Sequence, residues 1–230
     1  MADAMPHCCS RCQKGVDMES LNKREDLAYV LLTDSRINVN GREIGHERTG
    51  NAMLSELYRA QIGDWAKFFK MDTLSKVGFC ASELLLKDLG VVRCGGEEYV
   101  SNVAVVLFGT TASLCADKNY QATISARENY FPSPALFVYT LPNIVTGEIS
   151  IRNHYRGETS FYVTDGIDAA QLARHISQVF CDKVTECVLT GWIDCNDNDS
   201  FSSFFTMVDR GQASDCDWLE KQIGAIASKM

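Results

Sequence analysis

Apolar residues recur along the chain in two alternating patterns. Continuous apolar runs at residues 27–33, 102–108 and 184–192 are typical of strands that are buried on both faces. Residues 67–89 instead space their apolar side chains on one wide face, which predicts a helix capped by Asp72 or Thr73. This alternation predicts an α/β fold in which a mostly parallel, mixed sheet is layered between helices.

The remaining segments follow the same two patterns. Helices are predicted over residues 51–60, 116–129, 143–153, 167–180 and 215–228, and further strands over residues 160–164 and 201–208. The polar residues 37–50 and the acidic residues 194–199 are predicted to be loops. We expect residues 1–26 to be an irregular N-terminal segment and residues 27–230 to form a single domain.

The turn at the end of the 160–164 strand has the layout of a reactive site. Thr164, Asp165 and Gly166 lead from that strand into the next predicted helix. Turns of this kind position nucleophiles or bind anions in many α/β proteins. This turn contains no cysteine, and the nearest serine is Ser160. Only Asp165 and Asp168 remain as candidate nucleophiles.

The composition and net charge of the chain limit the classes of partner that it can bind. The chain has 230 residues, of which 46% are hydrophobic and 23% charged, with a net charge of −8. An acidic chain without a basic run is a poor candidate for binding nucleic acid or an anionic membrane. Its first 15 residues contain no apolar core typical of a signal peptide, and no run approaches the ~20 residues of a membrane span. We therefore expect a cytoplasmic protein.

The chain's 10 cysteines are interpreted as reduced residues of the core. Cys80 lies in a helical pattern, Cys181 at a helix end and Cys187 in a strand. The one ligand-rich cluster, at residues 7–12 (His7, Cys8, Cys9 and Cys12), lacks a second cluster at zinc-ribbon spacing. Residues 194–199 lack the glycine and the glutamate of a calcium loop. No metal and no cofactor are expected.

A second turn and three histidines are weaker candidates. Gly109, Thr110 and Thr111 follow a buried strand, where a turn can cradle phosphate, but the spacing of known phosphate loops is missing, which favours a plain turn. Of the histidines, His46 and His154 are expected in loops, and His175 on the helix over residues 167–180 is expected to be a partly buried structural residue.

Several segments, taken together, resemble the N-terminal half of a β-ketoacyl-acyl-carrier-protein synthase, an enzyme of the thiolase-like fold. The order Leu-Pro-Asn at 141–143 followed by Gly-Glu-Ile-Ser-Ile-Arg at 147–152 is similar to a signature of that family. Weaker similarities occur at residues 72–83, 105–110, 188–192 and 204–209. The resemblance covers residues 71–210 and implies a thiolase-like half.

The resemblance fails at the catalytic residues. The family's Thr-Ala-Cys turn aligns with Thr164, Asp165 and Gly166, so glycine occupies the position of the acyl-accepting cysteine. The family's two histidines lie in a C-terminal half that this chain does not have, and His154 and His175 lie in the wrong elements to replace them. The resemblance thus implies an acyltransferase family member without catalytic residues of its own.

Three hypotheses follow. In the first, the chain is a non-catalytic ketosynthase-like subunit of fatty-acid or polyketide-type biosynthesis, such as an aryl-polyene or pigment pathway. Its strand over residues 160–164 would present Phe161 and Val163 on one face and Tyr162 on the other. That strand would pair with itself in a homodimer or with a full-length ketosynthase, and an acyl-carrier protein is a further candidate partner.

The other two hypotheses keep a role for the turn itself. One is an acyl-transferring or condensing enzyme that uses Asp165 or Asp168 instead of a cysteine. The other is an acyl-binding module with Thr164, Asp165, Gly166 and Phe137 around an apolar pocket.

Overall fold

A computed structural model of the chain describes residues 25–91 and 99–230. The ligand-rich cluster at residues 7–12 lies outside the described residues. The strands are β1 Tyr29–Thr33, β2 Arg36–Val39, β3 Arg42–Glu43, β4 Val103–Gly109, β5 Thr159–Val163, β6 Cys187–Asp197 and β7 Ser200–Asp209.

Helices connect and cover these strands. They are α1 Gly50–Gln61, α2 Thr73–Asp88, α3 Leu114–Ala122, α4 Pro134–Phe137, α5 Ile144–Asn153, α6 Ala169–Val179, α7 Arg210–Ala213 and α8 Cys216–Ala227. Short 3₁₀ segments occur at Ala66–Lys70, Arg127–Asn129, Val138–Thr140 and Phe180–Asp182. Within the described ranges, no helix is both long enough and apolar enough to cross a membrane.

The strands form one seven-stranded sheet in the order β3-β2-β1-β7-β6-β4-β5. The predicted α/β class and mixed sheet are confirmed. Fewer of the neighbouring strand pairs are parallel than predicted. In the described sheet, β4 runs parallel to β5 and to β6, whereas the other neighbouring pairs are antiparallel. The links between β1 and β2, between β2 and β3 and between β6 and β7 are too short for a parallel crossover, so these three pairs are antiparallel.

Side chains of the sheet alternate between two cores. Val105 and Leu107 of β4 face the core that includes α1, α2 and α5, and Val106 and Phe108 face the core that includes α6 and α8. Both faces of the sheet are therefore covered by helices of this chain, as the buried apolar runs predicted.

The helix α2 is buried along nearly its whole length and anchors the first core. Asp72 caps it by accepting a hydrogen bond from the backbone N–H of Ser75 at 3.0 Å, as predicted. Gly78 lets α5 approach closely, because a Cβ there would lie 2.3 Å from Val145. The predicted start at residue 67 was too early, since Ala66–Lys70 forms a separate 3₁₀ turn before the cap.

Three other segments differ from the predictions. Residues 37–50, predicted as a loop, begin with the β2–β3 hairpin, whose turn residues Asn40 and Gly41 have φ angles of 50° and 84°. The helix predicted over 116–129 ends at Ala122. The stretch predicted as an acidic loop belongs largely to β6, because it pairs with β7 as far as Asp197.

The interpretation of the cysteines as reduced core residues holds for most of those described. All six cysteines in the described ranges are free, and Cys80 and Cys187 are buried as expected. Cys181 is exposed, which corrects its assignment to the core. It lies in the 3₁₀ turn after α6, where the chain has already left the apolar face of that helix.

A buried ion pair joins α2 to α5. The Nε of Arg152 lies 3.4 Å from Oε2 of Glu83, and both side chains are more than nine-tenths buried. Arg152 also pairs with Asp64, and its guanidinium lies 5.3 Å from the centre of the Trp65 ring. The Arg152–Glu83 pair is thus largely shielded from water, whereas Asp64 is mostly exposed.

We expect Arg152→Met to destabilise the protein by about 3–5 kcal/mol, because the buried carboxylate of Glu83 would lose its ion pair with Arg152. The free energy of unfolding from urea denaturation measures this loss. Arg36→Met is the matched control, since Arg36 pairs with Glu43 at 2.6 Å on the surface, and it should change stability far less. Equal losses in the two variants would contradict the prediction.

Candidate functional site

Two strand-to-helix turns lie side by side at one end of the sheet. Gly109 ends β4 and pairs with Val163, which ends β5. The backbone N–H of Thr164 donates to the carbonyl of Gly109 at 3.0 Å. The two turns that sequence analysis selected therefore leave the sheet at neighbouring points of the same edge.

The turn after β4 binds a carboxylate of the chain itself. Oδ1 of Asp194 accepts hydrogen bonds from the backbone N–H groups of Thr110 at 2.6 Å and Thr111 at 2.8 Å, and from the Thr111 hydroxyl at 3.1 Å. Its Oδ2 accepts from the indole N–H of Trp192 at 3.2 Å. The donors that a phosphate would need are thus used internally, in agreement with a plain structural turn.

The role of Asp194 is not predicted by the sequence patterns, which assign this residue to an acidic loop. The available signal was the length of the apolar run before it, which allows β6 to continue past Trp192. Gly109 makes the approach possible, since a Cβ there would lie 2.3 Å from the carbonyl oxygen of Ile193.

Thr164, Asp165 and Gly166 all lie in the turn after β5, before the next helix begins. The Thr164 hydroxyl donates to the carbonyl of Gly166 at 3.0 Å, and Asp165 is exposed. The helix α6 begins at Ala169, two residues later than predicted, and Asp168 caps it by accepting from the backbone N–H of Gln171 at 3.0 Å. The helix end therefore already carries a carboxylate.

The surroundings of Gly166 are open. A Cβ built on this residue meets no atom within 4 Å. Phe137, predicted beside it as a pocket residue, lies on α4 and packs against Tyr120 of α3, with ring centres 5.3 Å apart. Its own side chain is 55% exposed.

The described histidines make local contacts. Nδ1 of His175 lies 2.8 Å from the carbonyl of Gln171, and its ring is half-buried, 4.9 Å from that of Tyr162 and 6.0 Å from that of Phe108. His46 contacts the carbonyl of Arg48 in an exposed loop. His154 ends α5 with a φ of 57°. Residues 25–91 and 99–230 also contain no cluster of acidic, cysteine or histidine side chains able to hold a metal ion.

The strand β5 lies at the end of the sheet, and its side chains alternate as predicted. Phe161 packs against the first core, and Tyr162 packs against the second, with its ring stacked 5.4 Å from that of Phe108. Val163 is 59% exposed. The β5 strand has β4 as its neighbour on one side and, among the described strands, none on the other.

The hydrogen bonds to β4 fix which backbone groups of β5 face outward. The carbonyl of Glu158 accepts from Val105 at 2.8 Å, and the N–H of Thr164 points to β4 as well. The backbone N–H and C=O groups of successive residues in a strand point alternately to opposite sides. Every second residue from Glu158 to Thr164 therefore also bonds to β4. Thr159, Phe161 and Val163 therefore direct their N–H and C=O groups to the free edge.

Solved structures of ketosynthases have a fold similar to that of this chain. The ishigamide ketosynthase/chain length factor matches with a TM-score of 0.60 and 13% identity over 83% of this chain. A ketosynthase in complex with its chain length factor from Xenorhabdus doucetiae matches with a TM-score of 0.50 and 11% identity over 81%. The chain has the thiolase-like fold of ketosynthases.

A third match is a type II polyketide synthase acyl-carrier protein in complex with its ketosynthase, with a TM-score of 0.51 and 9% identity over 82% of this chain. This chain spans 63% of the first matched structure, 80% of the second and 58% of the third. No protein-family model and no curated protein matches the sequence.

We expect Asp194→Asn to destabilise the protein by about 1–3 kcal/mol. One oxygen can still accept from the Thr110–Thr111 turn, but the new amide group faces the indole N–H of Trp192, so two donors oppose each other. Thermal and urea unfolding measure the loss. Asp165→Asn is the control, because Asp165 is exposed in the neighbouring turn. Unchanged stability of the Asp194 variant would contradict the prediction.

Proposed function

We propose that this chain is a non-catalytic ketosynthase-like subunit of fatty-acid or polyketide-type biosynthesis, and that it assembles through the free edge of β5. The observation that carries the proposal is this edge. It combines outward N–H and C=O groups at Thr159, Phe161 and Val163 with a strand of aromatic and β-branched side chains. An edge of this kind is a template for pairing with another strand.

The neighbouring turn supports a role without catalysis. The position that resembles the family's nucleophile is Gly166, which has no side chain to acylate. The nearby carboxylates are an exposed Asp165 and Asp168, which is engaged as a helix cap. A carboxylate stabilised as an anion at a helix end is a weak nucleophile.

The kind of partner is suggested by the matched structures. Two of them are named as ketosynthase and chain length factor pairs, and a third pairs a ketosynthase with an acyl-carrier protein. By analogy, the partner of this chain is a second copy or a complete β-ketoacyl synthase. An acyl-carrier protein is the substrate carrier that such an assembly would meet.

Symmetry limits how β5 can pair with a second copy. A two-fold axis through an antiparallel pair must pass through a residue that lies opposite itself. Phe161 is the middle residue of Thr159–Val163, and its backbone groups face outward. With the axis at Phe161, Thr159 lies opposite Val163 of the other copy, and every residue of the strand has a strand partner.

We expect Val163→Pro to abolish this assembly. Proline removes the outward N–H and places its ring on the free edge, while the bonds from β5 to β4 use other residues. The matched control is Val163→Thr, which keeps the N–H and the branched shape. Sedimentation velocity of each variant, alone and with a ketosynthase from the same genome, measures the loss. Wild-type protein that stays monomeric and binds no ketosynthase would overturn the proposal.

We also expect no acyl transfer to this chain. After incubation with acyl-carrier-protein thioesters, intact mass should show the unmodified protein and an unchanged thioester. Gly166→Cys serves as a control for access, because the open surroundings of this position allow the side chain and a maleimide should label it. A covalent acyl adduct mapped to Asp165 or Asp168 in the wild-type protein would establish a re-wired enzyme instead.

A further inference from the structure

An uncharged and largely apolar segment lies exposed between α3 and α5. Residues 129–147 contain no charged side chain. Residues 130–141, here called the apolar strap, expose on the order of 500 Å² of large side chains, a patch at the upper end of what a monomer shows. A patch of this size indicates a contact surface. Its members are Tyr130, Phe131, Leu136, Phe137, Val138 and Leu141.

Contacts along its length hold the apolar strap against α3. The N–H of Phe131 donates to the carbonyl of Thr123 at 2.9 Å, directly after the last residue of α3. The carbonyl of Thr140 accepts from the hydroxyl of Ser113 at 2.8 Å, directly before the first residue of α3. Two prolines also restrict the backbone of the strap. The strap is therefore ordered in advance, which lowers the entropic cost of binding.

The apolar strap lies at the end of the sheet where β5 ends. Ser113 follows the Thr110–Thr111 turn, and Gly109, before that turn, pairs with Val163 of β5. The helix α5 leads to the same position, because it follows the strap, packs against β5 and enters the start of β5 through residues 154–158. Its ten residues are about 15 Å long, close to the length of β5. The start of α5 thus lies near the end of β5.

The edge of β5 alone is too small to hold a stable dimer. Its five residues form a strip about 17 Å long and about 10 Å thick, so this edge covers on the order of 200 Å². Stable interfaces bury about 800 Å² on each partner. Further surface must therefore take part if β5 pairs.

The symmetry of the pairing indicates where that surface lies. With the two-fold axis at Phe161, the end of β5 in one copy lies beside the start of β5 in the other. The apolar strap is at the first of these places. The last turn of α5 is at the second, and it carries Ile151, an apolar side chain that is 57% exposed. Two exposed apolar surfaces therefore come to the same side of the pair.

We propose that the apolar strap of one copy packs against the end of α5 around Ile151 in a second copy of this chain. This inference rests on the proposed pairing of β5 and names its partner. A second copy is favoured because the strap carries no charge, so that two chains of net charge −8 meet there without opposing like charges. Apolar contacts of this kind are typical of homodimers.

The first test compares two exposed valines by sedimentation velocity. Val138 in the strap is 48% exposed and Val184 is 58% exposed. Val184 lies at the opposite end of the sheet, since Glu186 nearby donates to the carbonyl of Asn102 before β4 at 2.8 Å. We expect Val138→Ser to raise the dissociation constant of the dimer about tenfold and Phe131→Ser about 100-fold, because symmetry repeats each loss. Val184→Ser should leave the constant unchanged, and equal effects of the two valine variants would overturn the inference.

A photo-reactive benzoylphenylalanine at position 131 tests the occupant without removing the apolar ring. In an equal mixture of isotope-labelled and unlabelled protein, we expect cross-links from one copy to α5 of the other. Cross-links that stay within one chain, to its N-terminal residues or elsewhere, would overturn the inference.

Failure of the strap contact can be told apart from failure of the proposed function. A dimer that is lost in Val163→Pro but kept in the strap variants would retain the pairing of β5 and overturn the strap contact. Wild-type protein that is monomeric alone but binds a complete ketosynthase would overturn the second copy as partner and leave the proposed function standing.

Discussion

The carboxylate of Asp194 is the contact on which this end of the molecule depends. It joins the end of β6 to the turn between β4 and α3, and so fixes where α3 begins. Since its partners include two backbone N–H groups, its removal would leave donors unsatisfied in a partly buried place. The carboxylate also fills the position where an anionic ligand would otherwise be stabilised.

A carboxylate of the chain also accepts a backbone hydrogen bond at the neighbouring turn. Asp168 supplies the carboxylate for the start of α6, as Asp194 does for the turn after β4. An anionic substrate group at either turn would have to displace a residue of the chain and repel its charge. This arrangement stabilises the fold and disfavours the binding of an anionic group at either turn.

Sequence patterns predicted the layers of strands and helices better than they predicted which strands and side chains contact each other. Apolar runs identified β1, β4 and β6, because strands buried on both faces require them. The β2–β3 hairpin was missed although Asn40 and Gly41 are a strong turn signal, since its strands are short and polar. The contacts of Asp194 join segments distant along the chain, and local periodicity carries no information about such contacts.

The helices that cover the two faces of the sheet leave its edge strands as the positions where a partner strand could pair. The helices α2 and α5 cover one face and α6 and α8 the other, so neither face is open to a partner. At one end of the sheet, β3 is a strand of two exposed residues, Arg42 and Glu43. Short and charged edges of this kind resist pairing. The opposite end is β5, which is longer, uncharged and aromatic, and it is therefore the edge that a partner strand would extend.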